Sequence, residues 1–400
     1  MKMRVYTKIN YAVDTFAVLS FVFLAIVSAF SPTTYLVKWP ISIYVLKISL
    51  AKIWICLALY KIFMNIDAKR KQSLIALIVL VLSVIASANG YLDYSILAIL
   101  SVAFFDYDFD KIVLVYSTSM STLLIVTLIL AWLGVIKNKA EVVPGRLEKS
   151  YFLGFIGHNE YMILLFFVML SLLYLTRKSK YRSLVWIISF ILLFVIWRIT
   201  DSNTSFVIAT VVIAMLFVNQ ILRRYYRRYQ LALLLQDLIC KVIVLTPVLS
   251  VFSTAAGVLF YNKYQRTIVD NTMISRYNLL DVALEKVGVK LPYATIGIEE
   301  IDATATFNWL VGTGDANYYS GDILYGTLFL QGGLFLLGVY VFIHVFVLCR
   351  LYRNKQYVLF LVIAAVVVLG NIESTAVAIH CSIFEFFYFT NIINIEPKKT

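Results

Sequence analysis

Charge is what this chain has least of. Asp, Glu, Lys and Arg make up 14% of its 400 residues and 62% are hydrophobic, against about 25% and 45–50% in a soluble domain, which excludes a soluble protein. Histidine falls to three residues, His158, His344 and His380, too few and too dispersed for a zinc site. The four cysteines, Cys56, Cys240, Cys349 and Cys381, lie mostly inside apolar runs without pairing or metal-ligand spacing, and read as buried free thiols. No nucleotide domain is encoded, and the Gly-rich stretch from Gly312 to Ala316 lacks the Lys-Ser/Thr ending of a phosphate-binding loop. Neither an internal repeat nor a low-complexity tract appears. Any reaction therefore draws on a preactivated lipid or sugar donor, with no metal and no cofactor expected.

What is present is hydrocarbon in helical lengths. With about twenty residues per span as the guide, about twelve apolar segments stand out. They cover 11–30, 41–64, 73–89, 91–105, 112–136, 160–176, 183–198, 204–221, 238–260, 323–349, 357–371 and 375–393. Runs of this length predict a helix bundle rather than a barrel. The first run follows Lys2, Arg4 and Lys8 but lacks a small-residue cleavage site, so it reads as a span and not a secretory signal. The expectation is an all-α polytopic membrane protein, a single integral domain over 1–400 with about twelve transmembrane helices.

The net charge of +13 would suggest nucleic acid in a soluble protein. In a polytopic one it reflects Lys and Arg in cytoplasmic loops near anionic lipid, and no nucleic-acid partner is expected. With both termini inside, one side collects Lys69, Arg70, Lys71, Lys111, Arg177, Lys178, Lys180, Arg182, Arg223, Arg224, Arg227, Arg228, Arg350, Arg353, Lys355, Lys398 and Lys399. That is the bias the positive-inside rule asks for. The richness in Ile, Phe, Tyr and Lys points to an AT-rich bacterial genome, hence a bacterial plasma membrane.

The other side receives two polar loops, 137–159 and the long run 261–322, with short turns at 198–204 and 371–374. Loops beyond about 15 residues are uncommon unless they have work to do. The long run is expected to hold a surface helix from an Asn271 cap to Val287. Its apolar stripe is Tyr277, Leu280, Leu284 and Val287, with Gly288 and Pro292 as stop signals. Arg146, Arg198, Arg266 and Arg276 all fall on this face, where short loops are normally poor in Arg. Each also has a plain role open to it, as a headgroup-seeking side chain or an ion pair such as Arg198 with Asp201. Asp201, Ser202 or Asn203 would cap the eighth span. At the start of the sixth span stand His158, Asn159 and Glu160, a proton acceptor and a carboxylate near Arg146. Asp322 and Tyr325 open the tenth span, and Glu373 lies in the last pair, where an acid is costly without a partner.

In this order the motifs resemble those of the Wzy-type polysaccharide polymerases of capsule and O-antigen pathways, relatives of the O-antigen ligases. Ten residues separate Arg146 from Gly157, as in that family's exterior loops. Gly154, Phe155, His158 and Asn159 match a family run that lacks here its proline after His. The turn from Thr200 to Thr204 carries Asn203 where the family has Arg, with Arg198 as stand-in. Ser275 and Arg276 match the second loop, although Arg276 to Gly288 is one residue longer than the family spacing. Asp322, Tyr325, Gln331 and Gly333 match its ending, with Ile323 in place of Asn.

The resemblance implies glycosyl transfer between two undecaprenyl-diphosphate-linked glycans at the outer face of the bilayer, with a chain-length regulator and other capsule-assembly proteins as partners. Arg146 and Arg276 would hold the diphosphates, ahead of Arg198 and Arg266. A guanidinium fork matches phosphate oxygens, and preorganised charge stabilises the departing group. The acceptor's proton would go to His158, Asp322 or Glu373, with Asn159, Glu160 and Tyr325 in support. A lipid-linked oligosaccharide flippase, an O-antigen ligase and an inert lipid-binding scaffold remain the other readings. The spans look nearly free of charge apart from Lys47 and Lys52, which favours surface chemistry over a flippase.

Overall fold

The computed structural model describes residues 2–30, 43–67, 69–88, 92–104, 107–142, 149–155, 157–224, 230–264, 324–371 and 381–384. Among these the chain is helical but for one small hairpin. The helices are α1 (Lys2–Phe30), α2 (Ile43–Asn65), α3 (Arg70–Ala88), α4 (Leu92–Ala103), α5 (Phe109–Trp132), α6 (His158–Leu175), α7 (Arg182–Thr200), α8 (Asn203–Arg224), α9 (Gln230–Val244), α10 (Thr246–Tyr264), α11 (Leu324–Arg353) and α12 (Tyr357–Leu369). Between α5 and α6, strands β1 (Ala140–Val142) and β2 (Lys149–Tyr151) pair antiparallel, with Glu141 opposite Ser150. Among the described residues, six helices are long and apolar enough to cross a bilayer, or seven if α9 and α10 form one broken span. An all-α membrane protein is what these helices describe. The expected surface helix at 271–287, and the last expected apolar segment, 375–393, apart from residues 381–384, lie outside the described residues.

The chain divides into two compact units. Unit 1 comprises Met1–Ile85, Asp93–Gln220 and Ile379–Thr400; unit 2 comprises Ala86–Leu92 and Ile221–Ala378. In unit 1, α6 is the core helix, packed against both α5 and α7. It is apolar all round, and every residue from Tyr161 to Leu170 is buried. On α7 only Trp186, Ser189, Leu193, Ile196 and Thr200 are buried, at spacings of three and four. Its remaining Leu, Ile, Phe and Val side chains face outward as a lipid-facing surface would.

Polar ties fix the helix pairs of unit 1. Trp54 Nε1 donates to Ser20 Oγ at 2.8 Å, Tyr60 Oη to Asn10 Oδ1 at 2.9 Å, and Lys61 Nζ stands 2.5 Å from Asp14 Oδ1, all between α1 and α2. The near-absence of charge expected within the spans therefore needs correction. Lys61 and Asp14 both lie in apolar segments, and each is tolerated there because the other neutralises it.

Unit 2 departs most from the expected spans. The ninth is not one straight helix: α9 and α10 meet at 57° across Leu245. Pro247 supplies the cause, since it has no N–H for the Ile243 carbonyl four residues back. The Thr246 hydroxyl donates to that carbonyl instead, at 2.7 Å. The tenth segment is likewise not one helix over 323–349. Gly333 interrupts α11 at φ 59°, ψ −160°, a conformation essentially reserved for glycine, and the span-length part begins at Gln331. At the other end of α11, the Tyr352 hydroxyl donates to the Asp237 carboxylate, which also pairs with Lys241 at 2.8 Å. The helix α12 has 13 residues and is buried on nearly all sides.

Candidate functional site

The consecutive helices α5, α6 and α7 run antiparallel to their neighbours. The C-terminus of α5, the N-terminus of α6 and the C-terminus of α7 therefore gather at one end of unit 1, and α8 begins there too. The β1–β2 hairpin belongs to the same end, with β2 against α7. Its fixing points are Phe152 N–H to the Lys139 carbonyl and Leu153 N–H to Asn138 Oδ1, both at 3.0 Å.

The segment that carries Gly154, Phe155, His158 and Asn159 has a defined geometry. Leu153 and Gly154 both take positive φ, 51° and 90°, which turns the chain from β2 back toward α5. A Cβ on Gly154 would stand 3.1 Å from Thr127 Cγ2 and 3.3 Å from Ile136 Cγ2, so this position needs glycine twice over. Phe155 is fully buried and meets the Tyr161 ring edge-on at 5.8 Å. Gly157 is extended (φ −122°, ψ 151°) as the cap of α6, so His158, Asn159 and Glu160 form its first turn. Their backbone N–H groups belong to the positive end of an 18-residue helix, where an anion is favoured.

The turn between α7 and α8 lies at the same end. Asp201, one of the three residues expected to cap α8, closes α7 in the left-handed conformation (φ 57°, ψ 28°) with its N–H on the Trp197 carbonyl. Asn203 accepts a 2.7 Å hydrogen bond from Trp197 Nε1, and Trp197 stacks on Phe206 at 4.6 Å. Arg198 is exposed, its guanidinium 5.7 Å from the Trp197 ring. Five hydroxyls among the described residues of this unit are buried without a hydrogen-bond partner: Ser73 Oγ, Thr127 Oγ1, Ser150 Oγ, Ser205 Oγ and Thr210 Oγ1. Buried hydroxyls ordinarily find partners, so these are donors and acceptors in reserve. Sequence reasoning missed them, because single Ser and Thr residues in apolar runs carry no signal of their own.

Of the residues expected to act, His158, Asn159, Glu160 and Arg198 thus fall at one end of unit 1. Arg146, Arg266, Arg276, Asp322 and Glu373 lie outside the described residues. Tyr325 belongs to unit 2 and is not a surface group. It is 1% exposed, and its hydroxyl donates to the Val367 carbonyl at 3.0 Å, near the end of α12. There it satisfies a carbonyl near a helix end.

The acidic alternation Asp106, Asp108, Asp110 was also passed over in the sequence. Asp108 accepts from Asp110 N–H at 3.1 Å as the cap of α5. Asp110 takes Arg177 Nη2 on both oxygens, at 2.8 and 2.7 Å, and the Tyr174 hydroxyl at 2.5 Å. Asp108 and Asp110 thus have structural partners, and no group of three His, Cys, Asp or Glu among the described residues is placed to hold a metal. Beside them, burial first and then the Asp14, Tyr11 and Asp108 groups push the Tyr107 phenol above its ordinary pKa. No family model, curated protein or solved structure matches this chain.

Proposed function

We propose that this protein is a membrane glycosyltransferase of the Wzy type, joining undecaprenyl-diphosphate-linked repeat units into a cell-surface polysaccharide at the outer face of a bacterial plasma membrane. The observation that carries the reading is the corner from Leu153 to Glu160. There a left-handed turn through Leu153 and Gly154 delivers His158 and its neighbours to the positive end of a buried helix, at the same end of unit 1 as Arg198. A diphosphate leaving group calls for cations and helix N-termini where charge develops. Arg146 and Arg276 are the proposed diphosphate ligands, with Arg198 and Arg266 behind them. His158, Asp322 and Glu373 are the proposed bases, in that order. Apolar helices would hold the prenyl tails, and a chain-length regulator would be the protein partner.

The test is where lipid-linked repeat units stop when the chain is deleted. In spheroplasts, single units should accumulate within reach of a membrane-impermeant glycan-modifying reagent. Units protected from that reagent would overturn the polymerase reading in favour of a flippase.

One observation favours that second reading. Both α9–α10 and α11 are interrupted helices, and transporters commonly build their mid-membrane sites from discontinuous helices.

A further inference from the structure

Tyr325 and Tyr340 belong to the same helical element, fifteen residues apart, yet their ring centroids lie 6.0 Å from each other. In a straight α-helix that spacing would hold them about 22 Å apart. The chain has folded back on itself between them, and Gly333 is where it does so. The fold is tight: a methyl on Gly332 would stand 2.2 Å from Leu336 Cβ. Leu324–Gly332 is therefore a separate limb lying against the stem from Gly333 to Arg353.

The far end of the limb is fixed as well. Leu324 N–H donates to the Gly370 carbonyl at 3.0 Å, and the Tyr325 hydroxyl donates to the Val367 carbonyl at the same distance. These acceptors belong to the last turn of α12 and the residue beyond it, where helix carbonyls otherwise lack partners. Helix α12 follows α11 after a short turn and packs against it. Its 13 residues carry Gly370 about 20 Å back along α11, whereas Gly333 stands about 30 Å from Arg353. The start of the limb is thus deeper along the stem than its hinge. The first five residues of the limb, from Leu324 to Leu328, are all buried. A straight α11 would instead be about 45 Å long, well beyond the roughly 30 Å hydrocarbon core.

We propose that Leu324–Gly332 is a re-entrant half-helix that swings on Gly332 and Gly333 and is latched inside unit 2 onto the end of α12. Each partner completes the other. The limb offers its unpaired N-terminal donors, α12 offers its unpaired C-terminal carbonyls, and the two helix dipoles meet head to tail. Asn371 extends the junction, its Nδ2 donating to Ser250 Oγ on α10 at 2.7 Å, so the latch also rests on the second half of the broken span. The inference is independent of glycosyl transfer, since it concerns how unit 2 is closed.

The test is a disulfide. A Cβ built on Gly370 stands 3.5 Å from Leu324 Cβ, within the range a disulfide requires. The full-length double variant Leu324→Cys/Gly370→Cys, with the four native cysteines replaced by Ala, should cross-link when membranes are oxidised, with the linked peptide identified by mass spectrometry. A Phe335→Cys/Gly370→Cys pair, whose Phe335 side chain is 72% exposed, should not. Absence of the first cross-link, with both chains present in the membrane in normal amount, would overturn the re-entrant limb.

The hinge is tested by labelling Leu324→Cys with a water-soluble maleimide in opened membranes, which expose both faces. Gly333→Ala should speed labelling about five- to thirtyfold, the factor that corresponds to the strain of a glycine-only conformation. Gly338→Ala should leave it unchanged, because a Cβ there meets nothing within 4 Å. Equal rates in the two variants would overturn the hinge.

Discussion

Lys61 Nζ lies 2.5 Å from Asp14 Oδ1, joining α1 to α2, and the two side chains are only 4% and 17% exposed. A charge this far from water is held by its partner. Removing one member leaves the other stranded, whereas removing both leaves an apolar contact. Lys61→Met should therefore destabilise the protein by about 3 kcal/mol, and Asp14→Leu/Lys61→Met should recover most of that loss. Thermal unfolding of the four variants in detergent gives the coupling, and additive losses would show that the pair contributes nothing as a pair.

The bend between α9 and α10 makes a second cycle. Thr246→Val leaves the Ile243 carbonyl without a donor and should cost about 1–3 kcal/mol. Adding Pro247→Ala returns a backbone N–H to that carbonyl and should restore the loss while straightening the helix. Melting temperatures of the single and double variants decide it: a double variant no more stable than Thr246→Val would remove proline as the cause of the bend.

Gly154 and Gly134 both take positive φ, 90° and 73°, but only Gly154 is crowded. Alanine at Gly134 should cost about 1 kcal/mol, the backbone penalty alone. At Gly154 the added methyl also meets Thr127 and Ile136, and the loss should reach about 2–4 kcal/mol. Denaturation in detergent compares them, and equal losses would mean that the contact with α5 has no energetic weight.

Arg146→Lys and Arg276→Lys address the proposed chemistry. If both guanidinium groups hold departing diphosphate, each loses its bidentate fork, and polymer formation should fall about ten- to hundredfold per contact. Membrane abundance should stay normal while single lipid-linked units build up. Saccharide ladders measure the first effect and membrane immunoblots the second. Full-length ladders from both variants would remove these arginines from the site.

Much of unit 1 was legible because each apolar run there is one helix. The segment expected at 183–198 is α7 at Arg182–Thr200, and that at 160–176 is α6 at His158–Leu175. Unit 2 was misread because an apolar run has the same composition whether it runs straight or doubles back. The punctuation was present, as Thr246-Pro247 at one break and Gly332-Gly333 at the other, and it is where such breaks occur. The Asp14–Lys61 pair was hidden for a different reason: its members are 47 positions apart in sequence, and nothing local in either segment names the partner. At the candidate site, a helix start close to His158 followed from the pattern. The buried hydroxyls of Thr127, Ser150 and Ser205 could emerge only from packing.

The contrast between α6 and α7 sets how each can change over generations. Along α7, positions such as Ile187, Ile188, Ile191 and Val195 face outward. Lipid accepts any oily side chain there, so drift among Leu, Ile, Val and Phe passes unnoticed by selection. Along α6, Phe166 and Phe167 are fully enclosed, as is Leu170, and each fits a shape fixed by its neighbours. A single methyl gained or lost there is felt at once. The helix that begins at His158 should therefore be among the slowest-evolving in unit 1, and its neighbour α7 among the fastest outside its buried stripe.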